Sequence, residues 1–362
     1  MKARANSAVT GALVADAASL GLHWIYDPER LAEVGGNKPE FLEPDIRHYK
    51  GTTAYFAHRD KHAGDSTHYG EQLKVLLRSL QACDQRLAVS DYERRFVESF
   101  GPGGTFVGYI DFATRETLRL IDQAERDALT AAHAFDLGEH ESDRALMEAK
   151  VMANVRRWND EKLDQAMAKA VRITHGENED LIAVVQEMAR AVKRARTGFH
   201  GADDVQLPAL SKLPALAAAV LDPGEREAAV EHAVRVTNDN DEAVAHGHAM
   251  AHALWAALDG ASPREAADAA ANGAPAAVRD LYTQALAFGG TASDAAAHFG
   301  RACPLPESAP VILVHMRDAT DFESAVRSNI LAGGDSAGRA IVLGAVLGAA
   351  FGVPADWAAR LA

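Results

Sequence analysis

Apolar residues recur along most of this chain at three- and four-residue spacing, which places them on one face of an α-helix. Val75, Leu76, Leu77 and Leu80 form one such stripe, and Val244, Met250, Ala253 and Leu254 form another. β-Branched runs of the kind that make strands are few. Gly101-Pro102-Gly103-Gly104, Pro223-Gly224 and Cys303-Pro304-Leu305-Pro306 mark loops. From about Asp111 to Thr197 the chain is charged, Ala-rich and periodic, with almost no Gly or Pro. That pattern reads as several exposed helices, a helical insertion at 112–197 packed on the main body. No fixed-period repeat and no low-complexity linker divides the chain. The pattern therefore predicts an all-α protein, a single domain of ten or more helices spanning 1–362.

Composition narrows the class. A chain of 362 residues can bury a sizeable core, and an Ala-rich sequence with 6% aromatic residues favours helices over sheets. Lys and Arg number 37 against 51 Asp and Glu, a net charge of −14, with no dense basic run. This argues against nucleic acid and anionic membranes as main partners. Cys83 and Cys303 are too few for a disulfide framework, which fits a reducing, cytoplasmic setting. Lys2 and Arg4 precede an apolar stretch from Ala8 to Ala15, but that stretch is short and runs straight into Asp16, unlike a cleaved signal. The stretch from Ala340 to Pro354 is too short and Gly-rich to span a bilayer. A soluble protein is expected.

Three polar loops sit beside apolar helices and carry the candidate chemistry. The first runs from Ala15-Asp16 to Gly21-Leu22-His23-Trp24-Ile25-Tyr26-Asp27. Asp16 and His23, seven apart, share a face if the helix continues that far. They are either a helix brace and a core histidine or parts of a site. The second is Gly64-Asp65-Ser66-Thr67-His68-Tyr69-Gly70-Glu71. Asp65, Ser66 or Thr67 could cap the following helix, but capping leaves His68, Tyr69 and Glu71 unexplained. His68 and Glu71 are three apart and would share a helix face. The third is Gly333-Gly334-Asp335-Ser336-Ala337-Gly338-Arg339, ahead of an apolar helix in which Gly344 and Gly348 permit close packing.

Two acidic patches stand apart, Gly201-Ala202-Asp203-Asp204-Val205-Gln206 and Thr237-Asn238-Asp239-Asn240-Asp241. The second begins like a calcium loop but lacks its glycine and closing Glu, so an EF-hand is rejected. His246, His248 and His252 resemble a metal cluster; only the last two share a face, and a solvated helix face explains them better than zinc.

Taken in order, these segments resemble the ADP-ribosylglycohydrolase family, and more closely its branch of J-type crystallins and selenoprotein J. The match runs through Ala15–Asp27, Gly64–Gln72, Gly108-Tyr109-Ile110-Asp111, Gly201–Gln206, Thr237–Val244, Cys303–Pro306 and Gly333–Arg339. The resemblance implies an orthogonal multi-helix bundle with two Mg²⁺ or Mn²⁺ ions in a central cleft that binds ADP-ribose. The family's first ligand loop reads Thr-Asp-Asp-Thr where this chain has Gly64, Asp65, Ser66 and Thr67. Its last loop reads Gly-Gly-Asp-Thr-Asp-Thr where this chain has Gly333, Gly334, Asp335, Ser336, Ala337 and Gly338. Two carboxylates are thus missing, and His23 falls at or near a position often occupied by Glu.

A hard dication needs several carboxylate oxygens to offset its dehydration. The expectation is therefore at most one Mg²⁺ or Mn²⁺, held by Asp65, Thr67 and Asp335, or a metal-free site. Asp65, His23, His68 and Glu71 are the expected catalytic groups. Asp16, Tyr69, Tyr109, Asp111, Asp203, Asp204, Asp239 and Arg339 are the expected substrate-binding residues. Arg339 could pair with a ligand phosphate or carboxylate, or bridge helices. The leading expectation is hydrolysis of a glycosidic bond in an ADP-ribose- or nucleoside-like substrate, whether a small molecule or an ADP-ribosylated one. The alternatives are a non-catalytic crystallin-like binding or structural protein, and a different bond cleavage on the same scaffold.

Overall fold

The structure, a computed structural model, describes residues 2–132, 199–219 and 222–362. Most of the expected insertion at 112–197 lies outside the described residues. Among those described there are fifteen α-helices and no strand, only isolated backbone bridges. The first five helices are α1 (Lys2–Ser19), α2 (Pro28–Gly35), α3 (His68–Ala82), α4 (Val89–Phe100) and α5 (Phe112–Ala132). After the undescribed stretch come α6 (Leu213–Ala218), α7 (Arg226–Arg235), α8 (Asp241–Asp259), α9 (Pro263–Gly273) and α10 (Ala276–Ala287). The last five are α11 (Ala292–Phe299), α12 (Leu305–Asp318), α13 (Phe322–Leu331), α14 (Ser336–Phe351) and α15 (Ala355–Ala358).

The centre of the molecule is α14, buried from Ser336 to Ala349. Helices α1 and α14 touch backbone to backbone because both carry glycine at the crossing. A Cβ on Gly11 would lie 2.3 Å from the Gly344 carbonyl oxygen, and one on Gly348 would lie 2.3 Å from the Ser7 oxygen. The expected close packing at Gly344 and Gly348 is thus made by α1. Around this pair one apolar cluster extends from Ala5 to Trp357, taking in Val75, Leu76 and Leu80 of α3 and Met250, Ala253 and Leu254 of α8.

Helix ends follow the local chemistry. Asp27, with Pro28 at the first helical position, caps α2 through the N–H groups of Glu29 and Arg30. Thr67 caps α3, accepting from the Tyr69 N–H at 3.1 Å. Of the three capping candidates in that loop, Thr67 is therefore the cap, because Asp65 turns back to accept the His62 N–H. Asn240 caps α8, which accounts for the calcium-like stretch. Helix α1 stops at Ser19 and passes through a short 3₁₀ turn, Leu20–Leu22. Asp16 and His23 consequently do not share a helix face, and each reaches a different loop.

Candidate functional site

The three glycine-flanked loops meet. The Gly334 N–H donates to the Ile25 carbonyl at 2.8 Å and the Trp24 N–H to the Gly334 carbonyl at 2.9 Å, so the first and third loops are clamped together. Trp24 sits at φ 66°, a left-handed conformation that costs a bulky residue about 1–2 kcal/mol. It is held there from both sides, since its carbonyl also accepts the Tyr55 N–H at 3.0 Å. Strain of this kind persists only where the surroundings over-determine it, and it concentrates at functional sites.

At the junction lies a buried chain of polar groups. His23 Nε2 is 2.8 Å from Asp335 Oδ1, and His23 Nδ1 is 2.7 Å from His58 Nε2. The Tyr69 hydroxyl donates to Asp335 Oδ2 at 2.6 Å. His23, Tyr69 and Asp335 are fully buried and His58 nearly so. Burial opposes the charge on Asp335, but His23, the Cys303 thiol and Tyr69 outweigh it and hold the carboxyl below the usual range. Burial, with His23 alongside, pushes His58 well below the ordinary imidazole value, so it is neutral near pH 7. An ionised Asp335 fixes the tautomers: His23 donates through Nε2, so its Nδ1 accepts the N–H of His58.

His68, at the first position of α3, stands 3.3 Å from Asp111 Oδ2. Burial pushes it down to about 4, despite the Asp111 charge. Asp111 is held by the N–H and hydroxyl of Thr114 at 2.7 and 2.8 Å. The rings of Trp24 and Tyr109 adjoin these histidines, and Tyr55 packs on both rings: Trp24 stacks on His23 at 4.3 Å, and Tyr109 stands edge-on to Trp24 at 4.9 Å. Tyr55 is half exposed. The arrangement offers aromatic walls beside a fixed negative charge and a chain of imidazoles.

Asp16 reaches the second loop. It accepts the Thr67 N–H at 2.9 Å and the Thr67 hydroxyl at 2.5 Å, and only a glycine at position 70 leaves room for it. Burial pushes its carboxyl up to about 7 from an ordinary 3.8, against the pull of Thr67. Between those pH values the folded chain keeps a proton that the unfolded chain has lost, so this group's share of stability falls as pH rises through the window. Asp16→Asn keeps the shape and removes the titration. Denaturant midpoints should therefore shift in the variant's favour, relative to the unaltered protein, between about pH 5 and pH 8. An unchanging difference would show that Asp16 does not titrate there.

Other expected residues are engaged elsewhere. Glu71 binds Arg78 at 2.8 Å and Ser99 at 3.2 Å, bracing α3 against α4 rather than facing His23. Asp239 pairs with Arg235 at 2.6 Å, and Asp203 accepts from Asn240 at 2.7 Å, both at the surface side of their loops. Arg339 is wholly buried and spends its guanidinium on Asn329 Oδ1, at 2.9 Å, and the Gly333 carbonyl, at 2.6 Å. It braces the third loop from behind and is not placed to pair with a ligand anion. Asp204, nearly buried, feels the charge of Asp111, which raises its carboxyl further.

The metal set expected from Asp65, Thr67 and Asp335 does not assemble as a coordination shell. Thr67 Oγ1 is taken by Asp16 and the Tyr69 N–H, and both Asp335 oxygens by His23, Tyr69 and the Gly338 N–H. Asp65 is turned to the His62 N–H. Among the described residues no three His, Cys, Asp or Glu side chains converge as an ion would require. These residues do not fit a hard dication.

Sequence reasoning missed His58, which stands in a loop without pattern, and Lys212. The latter had a signal: it is the one charged residue in the run Leu207–Leu216.

Comparison with known proteins bears on the fold and the family. Crystallin J1A of Tripedalia cystophora is 27% identical over 372 aligned residues, covering 99% of this chain and 92% of that protein. Crystallin J1B of the same animal is 26% identical over 373, with the same coverage. A solved chain described as an ADP-ribosylglycohydrolase-related protein complex superposes with a TM-score of 0.56 at 16% identity, over 98% of this chain and 91% of that one. That likeness shows the fold. The family model described as ADP-ribosylglycohydrolase matches residues 1–217 and again 183–362. With its three loops clamped around Asp335 and that match spanning its length, the chain belongs to the ADP-ribosylglycohydrolase family.

Proposed function

We propose that the protein is a hydrolase cleaving a glycosidic bond in an ADP-ribose- or nucleoside-like substrate. The observation that carries this reading is the buried Asp335–His23–His58 chain beside the walls of Trp24, Tyr55 and Tyr109. Glycosidic cleavage builds positive charge at the anomeric carbon, and a carboxylate fixed in a dry site opposes that charge without reorganising. The imidazole chain can share a proton taken up at His58, because each nitrogen is within hydrogen-bond reach of the next. Flat aromatic faces suit a base or sugar ring.

A second reading has its own support. The two curated relatives are named as crystallins, and the expected metal ligands are satisfied internally, so a binding or structural role is the alternative. A thermal-shift screen with ADP-ribose, ribonucleosides, simple sugars and divalent metals separates a ligand-binding site from a purely structural role, and turnover then separates a hydrolase from a binding protein. A ligand present at about 100 times its Kd raises stability by about 2.7 kcal/mol. The hydrolase reading expects a shift with a ribosyl compound that Tyr55→Ala reduces. No shift with any of them favours the structural role.

A further inference from the structure

Besides Arg339, which braces the third loop, the described residues hold a fully buried lysine that the reading above does not use. Lys212 is fully buried at the foot of α6. Its Nζ donates to the Pro208 carbonyl and to the Thr237 hydroxyl. Having accepted that bond, Thr237 donates onward to Asn238 Oδ1 at 2.7 Å. The Asn238 carbonyl is therefore committed to Thr237, and its amide N–H groups turn to Asp204, meeting Oδ1 at 2.9 Å and the main-chain oxygen at 3.2 Å. Flipping the amide would set its oxygen against the carboxylate. Asp204 Oδ1 also accepts the Gln206 N–H at 2.9 Å. Among the described residues no hydrogen bond reaches Asp204 Oδ2. One oxygen of a nearly buried carboxylate is thus pinned by a directed relay while the other is left free.

The loop that carries this carboxylate borders the site. Asp111, which faces His68 at 3.3 Å, is the neighbouring carboxylate, and Lys212 the neighbouring cation. The loop carrying Asp204 continues into Leu207, whose N–H donates to the Cys303 carbonyl at 3.1 Å and whose side chain lies against Gly338 of α14.

We propose that Asp204 is the proton-accepting carboxylate for the attacking water, and that Lys212 is a positioning residue acting on it through Thr237 and Asn238. This deepens the hydrolase reading and rests on it for the reaction itself. Water oxygen bonds to the anomeric carbon while Asp204 Oδ2 takes the water's proton. The carbon–leaving-group bond breaks with its electron pair going to the leaving atom, which takes a proton from solvent. Loss of the proton from Asp204 to solvent resets the site, and the net change is substrate plus water giving two products.

Electrostatics agree with that role. Burial pushes Asp204 up to about 6, with Asp111 adding to it and the Gln206 N–H, Lys212 and Asn238 opposing it. Burial pushes Lys212 down to about 7, against Asp111 and Asp204. A base is most effective with its pKa near the working pH.

Titration of the full-length protein labelled with ¹³C at aspartate carboxyls tests this without a substrate, with Asp204→Asn assigning the resonance. The expected midpoint for Asp204 is about 6. It should rise by about one unit or more in Lys212→Met, where a buried charge is lost. Thr237→Val, which keeps volume and Lys212 but cuts the relay, should move it the same way and covers the case in which Lys212→Met does not fold. A midpoint in the ordinary carboxylate range, or one unmoved by both variants, overturns the assignment. On a ribosyl glycoside that the protein turns over, Asp204→Asn should lower kcat by about 100-fold with little change in KM. The limb of the pH–kcat profile near 6 should move with Lys212→Met. An unchanged kcat in Asp204→Asn removes Asp204 from the reaction. If no ribosyl glycoside is turned over, the hydrolase reading falls and the catalytic role with it, whereas Lys212's control of Asp204 stands or falls on the titration alone.

Discussion

Asp335→Asn is expected to lower turnover of the protein's glycoside by about 100- to 1000-fold while leaving the fold in place. The asparagine oxygen can keep both bonds made by Asp335 Oδ1, from His23 at 2.8 Å and from the Gly338 N–H at 3.0 Å. Its amide replaces Oδ2, and the Tyr69 hydroxyl, a donor at 2.6 Å, can rotate to accept instead. The cap and the packing therefore survive, and the negative charge is what disappears. Melting temperature and turnover together read the result. A variant with lowered stability and unchanged turnover would reduce Asp335 to a helix cap.

Much of this arrangement was legible in the sequence because it rests on local rules. Helical spacing placed the stripes of α3 and α8 in the core, and paired glycines marked α14 as a helix that another backbone would touch. The three glycine-flanked loops were readable as one site because polar clusters beside apolar helices have few other uses. What escaped was set by contacts distant in sequence. Glu71 shares α3 with His68, but its partners Arg78 and Ser99 belong to the α3–α4 seam, and no spacing rule announces them. The extension of α1 to His23 failed because the chain changes to a 3₁₀ turn after Ser19, and helix ends are the least legible feature of a pattern. His58 lies 35 residues from His23, and only the tertiary fold brings their rings within 5.0 Å.

Arg339→Met should lower stability by about 3 kcal/mol, with Arg339→Lys rescuing little of it. The guanidinium holds Asn329 Oδ1 at 2.9 Å, the Asn329 carbonyl at 3.3 Å and the Gly333 carbonyl at 2.6 Å, all within the core. A methionine fills most of the volume but satisfies none of these oxygens, and each buried acceptor left unpaired costs about 1–3 kcal/mol, not additively. Lysine lacks the planar fork that reaches Asn329 and Gly333 together. Because Gly333 opens the loop that carries Asp335, the damage should spread to the site. Urea denaturation reads the loss. Unchanged stability with weakened binding of an anionic ligand would instead return Arg339 to the role of a ligand anchor.

The most direct test of the hydrolase reading is release of a reducing sugar, since cleavage of any glycosidic bond frees an anomeric hydroxyl whatever the leaving group. The protein would be incubated with ADP-ribosyl and ribonucleoside glycosides, and the reducing ends counted over time beside the Asp335→Asn variant. The expected result is steady release by the unaltered protein from at least one of them, and a loss of about 100-fold or more in the variant. No release from any of these compounds, or release that Asp335→Asn leaves untouched, would contradict a glycosidic hydrolase built on the Asp335–His23–His58 chain.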